Sequence, residues 1–329
     1  MKKILLFLAA FGTIAAYAAD TAAPTAAPQP SDQASLAYMQ AAQQGTAHVA
    51  GEPGGGRYAP PLPADPKLPT LWIIGDSTVR NGTPGNGSTN APDGQWGWGA
   101  PLTYYFNIKK INVVNRAFGG TTAPSFYNGF FWKNMQPQIK KGDFVILQFG
   151  ANDSSRSDLD GTGDEVSNGL HTFGWYLKQF VLETRAQGGT CIICSLTPRK
   201  NWSADGKMHD VNNHVDWAAQ AAAEIGAPYI NLHELIQLQY DKLGKDKVDL
   251  LYVPTPAEAA AQGGSTRAEG LHTGWDGAVV NAECVVSGIK SLKDTDLASF
   301  LNSRGDAVPA APTDCVAENP TPTPPAAAK

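Results

Sequence analysis

Four kinds of polar residue that together perform acyl transfer occur at ordered positions along this 329-residue chain. Ser77 lies in the turn Gly75-Asp76-Ser77-Thr78, directly after the apolar run Leu71-Trp72-Ile73-Ile74. Asn152 follows another apolar run, and Glu269 precedes His272 by three residues. A serine hydroxyl is a weak nucleophile that needs a neighbouring base, and a histidine oriented by a carboxylate supplies one. The set therefore indicates acyl chemistry with Ser77 as nucleophile, His272 as base and Glu269 as its partner.

Gly120 and Asn152 are candidate donors to the negative charge that develops in such a reaction. Gly120 follows the second predicted strand and Asn152 the third. A tetrahedral intermediate needs fixed N–H donors at this place, which a bare backbone or a side-chain amide supplies. Taken singly, each residue also fits an ordinary turn, and Ser77 fits a helix cap. Their occurrence after three successive strands, with a carboxylate and histidine downstream, favours the catalytic interpretation.

Strands and helices alternate along the central part of the chain. The predicted strands are continuously apolar, and helical patterns separate them, which predicts a parallel sheet covered by helices on both faces. One helix is predicted to be capped by Asp210 and ended by Gly226. The strands are predicted over residues 71–74, 111–114, 144–149, 191–196 and 228–232, and the other two long helices over 171–187 and 277–292.

The two ends of the chain differ in composition from the centre. Residues 1–18 have the charged start, the short apolar stretch and the small-residue cleavage site of a secretory signal peptide, which predicts a secreted or periplasmic protein. Residues 19–68 are rich in Ala, Pro and Gly and are predicted to be a linker. The catalytic domain is predicted over residues 69–295, followed by a tail over 296–329. No later apolar run is long enough to span a bilayer.

Charge and cysteine usage narrow the partners. The net charge is −5 without a long basic block, so nucleic acid is not an expected partner. Cys191 and Cys194 lie in an apolar run, where side chains three residues apart point to opposite faces of a strand, so we interpret them as two core thiols. An exported protein can form disulfides, and Cys284 and Cys315 are the candidate pair. No motif for a metal or an organic cofactor is present.

The motifs around these residues resemble those of the GDSL-type esterase superfamily, also called SGNH hydrolases after residues equivalent to Ser77, Gly120, Asn152 and His272. More narrowly, the chain resembles the rhamnogalacturonan acetylesterases. The resemblance covers about residues 69–295 and implies a flavodoxin-like α/β/α sandwich around a mostly parallel five-stranded sheet. It also implies a serine esterase without a cofactor, with the backbone N–H groups of Ser77 and Gly120 and the Asn152 amide as the oxyanion hole. The matching segments are 75–79, 113–120, 142–153, 195–198 and 271–273.

One position departs from the family pattern. The family usually has an aspartate three residues before the histidine, where this chain has Glu269. Either Glu269 accommodates its extra methylene group, or Asp276 or a backbone carbonyl orients His272 instead.

The resemblance implies an acetylated plant cell-wall polysaccharide as substrate, with rhamnogalacturonan or pectin first. We interpret Trp96, Trp98 and Trp202 as sugar-binding platforms and Arg199 as a partner for uronate carboxylates. Core packing for the tryptophans and plain solvation for Arg199 are the alternatives. Two other functions remain open: an esterase or lipase acting on another glycan or a lipid, and a non-catalytic carbohydrate-binding protein. The polar loop 81–99 disfavours a lipase, and the presence of a base disfavours pure binding.

Overall fold

The computed structural model describes residues 60–82, 95–155, 159–253 and 270–312. The predicted signal peptide, most of the predicted linker, Glu269 and Cys315 lie outside these ranges. Within them, no helix is both long and apolar enough to cross a membrane.

A five-stranded parallel sheet forms the centre of the domain, as the sequence predicts. The strands are β1 (Thr70–Gly75), β2 (Asn112–Asn115), β3 (Phe144–Gln148), β4 (Thr190–Cys194) and β5 (Tyr229–Ile230). They lie in the order β2-β1-β3-β4-β5, so β1 is flanked by β2 and β3. The chain order reverses at β1, and in open α/β sheets ligands bind at such a point, beyond the carboxyl ends of the strands.

Helices cover both faces of the sheet. They are α1 (Gly99–Leu102), α2 (Ala123–Asn128), α3 (Phe130–Met135), α4 (Phe173–Ala186), α5 (Asn213–Ile225), α6 (Leu232–Leu243), α7 (Lys245–Asp249), α8 (Trp275–Ser291) and α9 (Ser303–Ala307). A short antiparallel hairpin of Val166–Ser167 and Leu170–His171 precedes α4.

Alternation along the strands divides the core into two apolar layers. Leu71 and Ile73 of β1 pack with residues of α1, α6 and α8, whereas Trp72 and Ile74 pack with α2, α3, α4 and α5. All six residues of β1 are buried, which explains why the run of residues 71–74 within it is continuously apolar. The result is the predicted three-layer α/β/α sandwich.

The cysteines of β4 lie as the strand period requires. Cys191 belongs to the layer under α4 and α5, and Cys194 belongs to the opposite layer under α6 and α8. Both are buried free thiols, so the interpretation as core residues is confirmed. Cys284 in α8 is also a buried free thiol, with its Sγ 3.7 Å from Leu235 O, and the predicted disulfide with Cys315 is not shown.

Two features differ from the predicted boundaries. Asn212, rather than Asp210, caps α5, because its side chain accepts a hydrogen bond from His214 N at 3.0 Å. The folded domain also continues past residue 295. Leu297 and Leu301 are buried against the core, and Asn302 Nδ2 donates to Tyr104 O and Phe106 O. The first part of the predicted tail is therefore a packed element of the domain.

Candidate active site

Ser77 lies on a sharp turn at the carboxyl end of β1, in the central region of the sheet. A Cβ atom on Gly75 would lie 2.5 Å from Gln148 O, so the strand can leave the sheet here only because this residue is glycine. Asp76 then closes the turn: its Oδ1 accepts hydrogen bonds from Thr78 N and Thr78 Oγ1, each at 2.8 Å. Asp76 is fully buried while Ser77 remains partly exposed, so the turn presents the serine hydroxyl to solvent.

His272 meets Ser77 across 195 residues of sequence. Its Nε2 lies 2.8 Å from Ser77 Oγ, within hydrogen-bond distance. Backbone contacts hold the histidine segment in place: Val253 N donates to His272 O at 3.0 Å, and Trp96 N donates to Thr273 O at 2.9 Å. The structure thus places the predicted nucleophile and base in the geometry that general-base activation requires.

The two predicted oxyanion residues stand on neighbouring loops. Gly120 has a φ of +80° and nothing within 4 Å of a hypothetical Cβ, and it is exposed after β2. Asn152 follows β3, and its Nδ2 donates to Thr121 O at 2.9 Å, which ties the two loops together. An amide nitrogen carries two hydrogens, so a second donor direction exists at Asn152 Nδ2. The left-handed backbone at Gly120 explains why glycine is needed there.

Asp153 is a buried carboxylate that fastens both of these loops from beneath. Its Oδ1 accepts from Ala123 N at 2.9 Å and its Oδ2 from Gly150 N at 3.1 Å. The pKa of Asp153 is raised to about 7: burial is the main cause and the nearby Asp76 carboxylate adds to it, while the backbone donors lower the pKa in part. Burial also raises the pKa of Asp76. Sequence reasoning missed this role, although Asp153 directly follows Asn152 in the motif 150–153.

We expect Asp153 to make stability depend on pH. Its pKa is higher in the folded than in the unfolded chain, so the folded form retains the proton and loses stability as pH rises from about 4 to about 7. Asp153→Asn should be less stable than wild type at pH 5, because an amide NH₂ cannot accept one of the two N–H bonds. The difference in free energy of unfolding between the two proteins should be smaller at pH 8 than at pH 5 by a few kcal/mol, because each unit of pKa shift corresponds to about 1.4 kcal/mol. Urea unfolding of both proteins at the two pH values measures this, and a constant difference would contradict it.

Trp98 is part of the core and is not a sugar platform, which corrects the sequence interpretation. It is 0% exposed, and its indole N–H donates to Gln148 Oε1 at 2.7 Å. Gln148 Nε2 then donates to Thr78 Oγ1 at 2.6 Å, beneath the turn that carries Ser77. The indole nitrogen can only donate a hydrogen bond, and in the buried site the Gln148 side-chain oxygen is its acceptor.

Trp96 is also buried, at 2% exposure, so it offers no solvent-facing ring for a sugar. Its ring lies edge-on to that of Trp275, with centroids 4.9 Å apart. Its backbone pairs with Thr273, next to the histidine. Both tryptophans of the polar loop therefore support the site from inside.

Arg199 and Trp202 lie on the loop that follows β4, beside the histidine segment. Arg199 is exposed, and its backbone N–H donates to Asp210 Oδ2 at 2.8 Å. Trp202 is half-buried and pairs with Met208 in an isolated bridge. Lys200, between them, donates its backbone N–H to Gly270 O at 2.7 Å. Arg199 and Trp202, the two predicted substrate residues on this loop, therefore border the segment that carries His272.

The identity of the acid that orients His272 stays a prediction. Glu269 lies outside the described residues. Asp276, the alternative, is an exposed residue in the first turn of α8. Among the described residues, no group of three or more His, Cys, Asp or Glu side chains is arranged to hold a metal ion.

Residues 73–272 match the GDSL-like lipase/acylhydrolase family, and this segment is more than half of the chain, so the protein belongs to that family. The fold and the family together define a carboxylic ester hydrolase.

Two curated relatives are similar to this chain. A rhamnogalacturonan acetylesterase of Emericella nidulans is 27% identical over 215 residues, which are 61% of this chain and 82% of the relative. The rhamnogalacturonan acetylesterase RhgT of Bacillus subtilis is 25% identical over 223 residues, 68% of this chain and 90% of the relative.

Among solved structures, that of protein YxiM from Bacillus subtilis aligns with a TM-score of 0.55 and 22% identity. The alignment covers 72% of this chain and 59% of that one. It supports the fold.

Proposed function

We propose that this protein is a serine esterase that removes acetyl groups from a plant cell-wall polysaccharide, with rhamnogalacturonan or pectin as the first candidate. The observation that carries the proposal is the 2.8 Å contact between Ser77 Oγ and His272 Nε2 at the central point of the sheet. The names of the two acetylesterase relatives support the acetyl group and the polysaccharide.

The reaction follows from the proposed roles. Ser77 Oγ attacks the acetyl carbonyl carbon while His272 Nε2 takes its proton. The carbonyl oxygen becomes an oxyanion, stabilised by the N–H groups of Ser77 and Gly120 and by the Asn152 amide. The intermediate collapses, the bond to the sugar oxygen breaks, and His272 returns the proton to that oxygen. Water, activated by His272, then hydrolyses the acetyl-enzyme to acetate and restores Ser77.

Arg199 and Trp202 are the residues we propose to contact the polymer. They border the histidine segment, and an exposed guanidinium suits a uronate carboxylate, since arginine pairs with carboxylates through two parallel hydrogen bonds. This leaves the sugar contacts to the loop after β4, given that Trp96 and Trp98 are buried.

Acetate release tests the substrate. The purified protein is incubated with acetylated rhamnogalacturonan, acetylated xylan and p-nitrophenyl esters of two and twelve carbons. We expect the fastest release from the pectic polymer and little hydrolysis of the long ester. Preference for the long ester would favour a lipase, and binding without acetate release from any substrate would favour a non-catalytic protein.

Glu269→Gln tests the acid that orients His272. If Glu269 holds the imidazole and stabilises its positive form, the loss of charge should lower kcat by about 10 to 10⁴-fold, the upper end being the cost of a wrong tautomer. Glu269→Asp should retain part of the activity. Asp276→Asn is the matched control and should behave as wild type. The reverse pattern would assign the role to Asp276, and two silent variants would define a Ser77–His272 dyad.

The proposed substrate is a polymer outside the cell, which is consistent with the signal-peptide pattern of residues 1–18. We therefore propose a secreted or periplasmic location. Mass spectrometry of the exported protein should find its first residue directly after Ala18, and a full-length N-terminus in the cytosol would contradict export.

A further inference from the structure

Lys200 and Asp249 form a buried ion pair beside the histidine segment. Lys200 Nζ lies 3.2 Å from Asp249 Oδ1, and the two side chains are 8% and 6% exposed. The surface pair Lys178–Glu224, by comparison, has side chains that are 16% and 35% exposed. Lys200 Nζ also lies 5.3 Å from the centroid of the buried Tyr252 ring, a distance at which a cation is attracted to an aromatic face.

The pair joins the elements on both sides of His272. Lys200 lies on the loop after β4, and its backbone N–H donates to Gly270 O at 2.7 Å, two residues before His272. Asp249 ends α7, two residues before Leu251, whose carbonyl accepts from Gly274 N at 2.8 Å, two residues after His272. The loop after β4 contacts one end of the 270–274 segment, and the chain just after α7 contacts the other end. The ion pair links that loop to the end of α7.

Stability alone is a weak reason for this arrangement. Removing a lysine and an aspartate from water carries a large desolvation cost, and an apolar pair of similar volume is often as stable or more so. What an ion pair adds is a defined direction and distance between two chain segments. Here those segments flank the base whose Nε2 must stay 2.8 Å from Ser77 Oγ.

We propose that Lys200 and Asp249 are positioning residues that hold His272 at the distance from Ser77 needed for proton transfer. The inference rests on the proposed function, because it assigns the pair a role in the same reaction. A misplacement of about 1 Å at a reacting group can cost about 10²-fold in rate, so loosening this link should lower kcat and leave KM for a small ester unchanged.

The test uses a double variant, because removing one partner leaves an unpaired buried charge and risks unfolding. Lys200→Met/Asp249→Leu removes both charges and should melt within several degrees of wild type. We expect its kcat on p-nitrophenyl acetate to fall about 10 to 10²-fold. Its rate of modification by a fluorophosphonate probe should fall by a similar factor, since that reaction also needs His272 as base. Lys178→Met/Glu224→Leu is the matched control and should retain wild-type values.

A second variant separates position from packing. Lys200→Arg keeps the charge and several donors, and should retain most of the kcat that the Lys200→Met/Asp249→Leu double variant loses. A double variant with wild-type kcat and probe reactivity, or one with only a raised KM, would overturn the positioning role. That result differs from failure of the proposed function, which would show as Ser77→Ala hydrolysing the ester as fast as wild type, and which would overturn both.

Discussion

Ser77→Ala should remove nearly all ester hydrolysis, a loss on the order of 10³-fold or more, while the fold stays intact. Ser77 Oγ contacts His272 Nε2 and is partly exposed, so the alanine leaves no buried polar group unpaired. The turn itself is held by Asp76 and Thr78, whose hydrogen bonds do not involve the serine hydroxyl.

The measurement is kcat on p-nitrophenyl acetate, with circular dichroism and thermal melting as controls for the fold. Thr122→Ala is a matched control: its hydroxyl lies in the cap of α2, on an exposed surface. It should cost about 1 kcal/mol of stability and leave kcat unchanged. A Ser77→Ala protein with activity near that of wild type would rule out the serine mechanism.

Asn152→Ala should lower kcat by about 10² to 10³-fold with a smaller change in KM, as loss of one oxyanion donor does. The residue also donates to Thr121 O at 2.9 Å, so the variant loosens the loop that carries Gly120. Part of the loss would then come through Gly120.

Thr121→Val separates the two contributions. Thr121 Oγ1 donates to Phe118 O at 2.8 Å and lies 3.3 Å from Gly75 O, so valine disturbs the Gly120 loop but keeps the backbone carbonyl that accepts from Asn152. We expect a loss in kcat well below that of Asn152→Ala. Equal losses in both variants would mean that Asn152 acts through loop position, and an effect of Asn152→Ala on KM alone would make it a ground-state binding residue.

The sequence predicts the sheet well because each strand is buried on both faces. Cys191 and Cys194 lie in opposite layers as the strand period requires. Because parallel strands end together, the loops after β1, β2 and β3 lie at one edge of the sheet, where Thr121 Oγ1 donates to Gly75 O and Asn152 Nδ2 donates to Thr121 O. The structure also brings Ser77 Oγ within 2.8 Å of His272 Nε2, a contact that the sequence predicts from the residue types that this chemistry needs.

The tertiary partners of single side chains were not predictable in the same way. Trp98 stands in a polar, glycine-rich segment, yet it is buried, and Gln148, 50 residues away, accepts its N–H. Asp153 looks like a turn residue, and only the fold shows that its two oxygens bind Ala123 and Gly150. Lys200 and Asp249 are 49 residues apart, and no local pattern marks them as partners.

In the chain of hydrogen bonds beneath the turn that carries Ser77, only one assignment of donors and acceptors is possible. The Trp98 indole can only donate, so Gln148 must turn its oxygen toward it and its NH₂ toward Thr78. Thr78 Oγ1 then has its own hydrogen left for Asp76 Oδ1. Each hydrogen bond in this chain therefore has its donor on the core side, and Asp76 Oδ1 is the final acceptor. Burial raises the pKa of the Asp76 carboxyl, and any proton that this carboxyl binds would be carried by Oδ2, because Oδ1 accepts from Thr78. A phenylalanine at position 98 would remove the indole donor that fixes the orientation of this chain. The Gln148 amide could then flip, and the Thr78 hydroxyl could donate to a different acceptor.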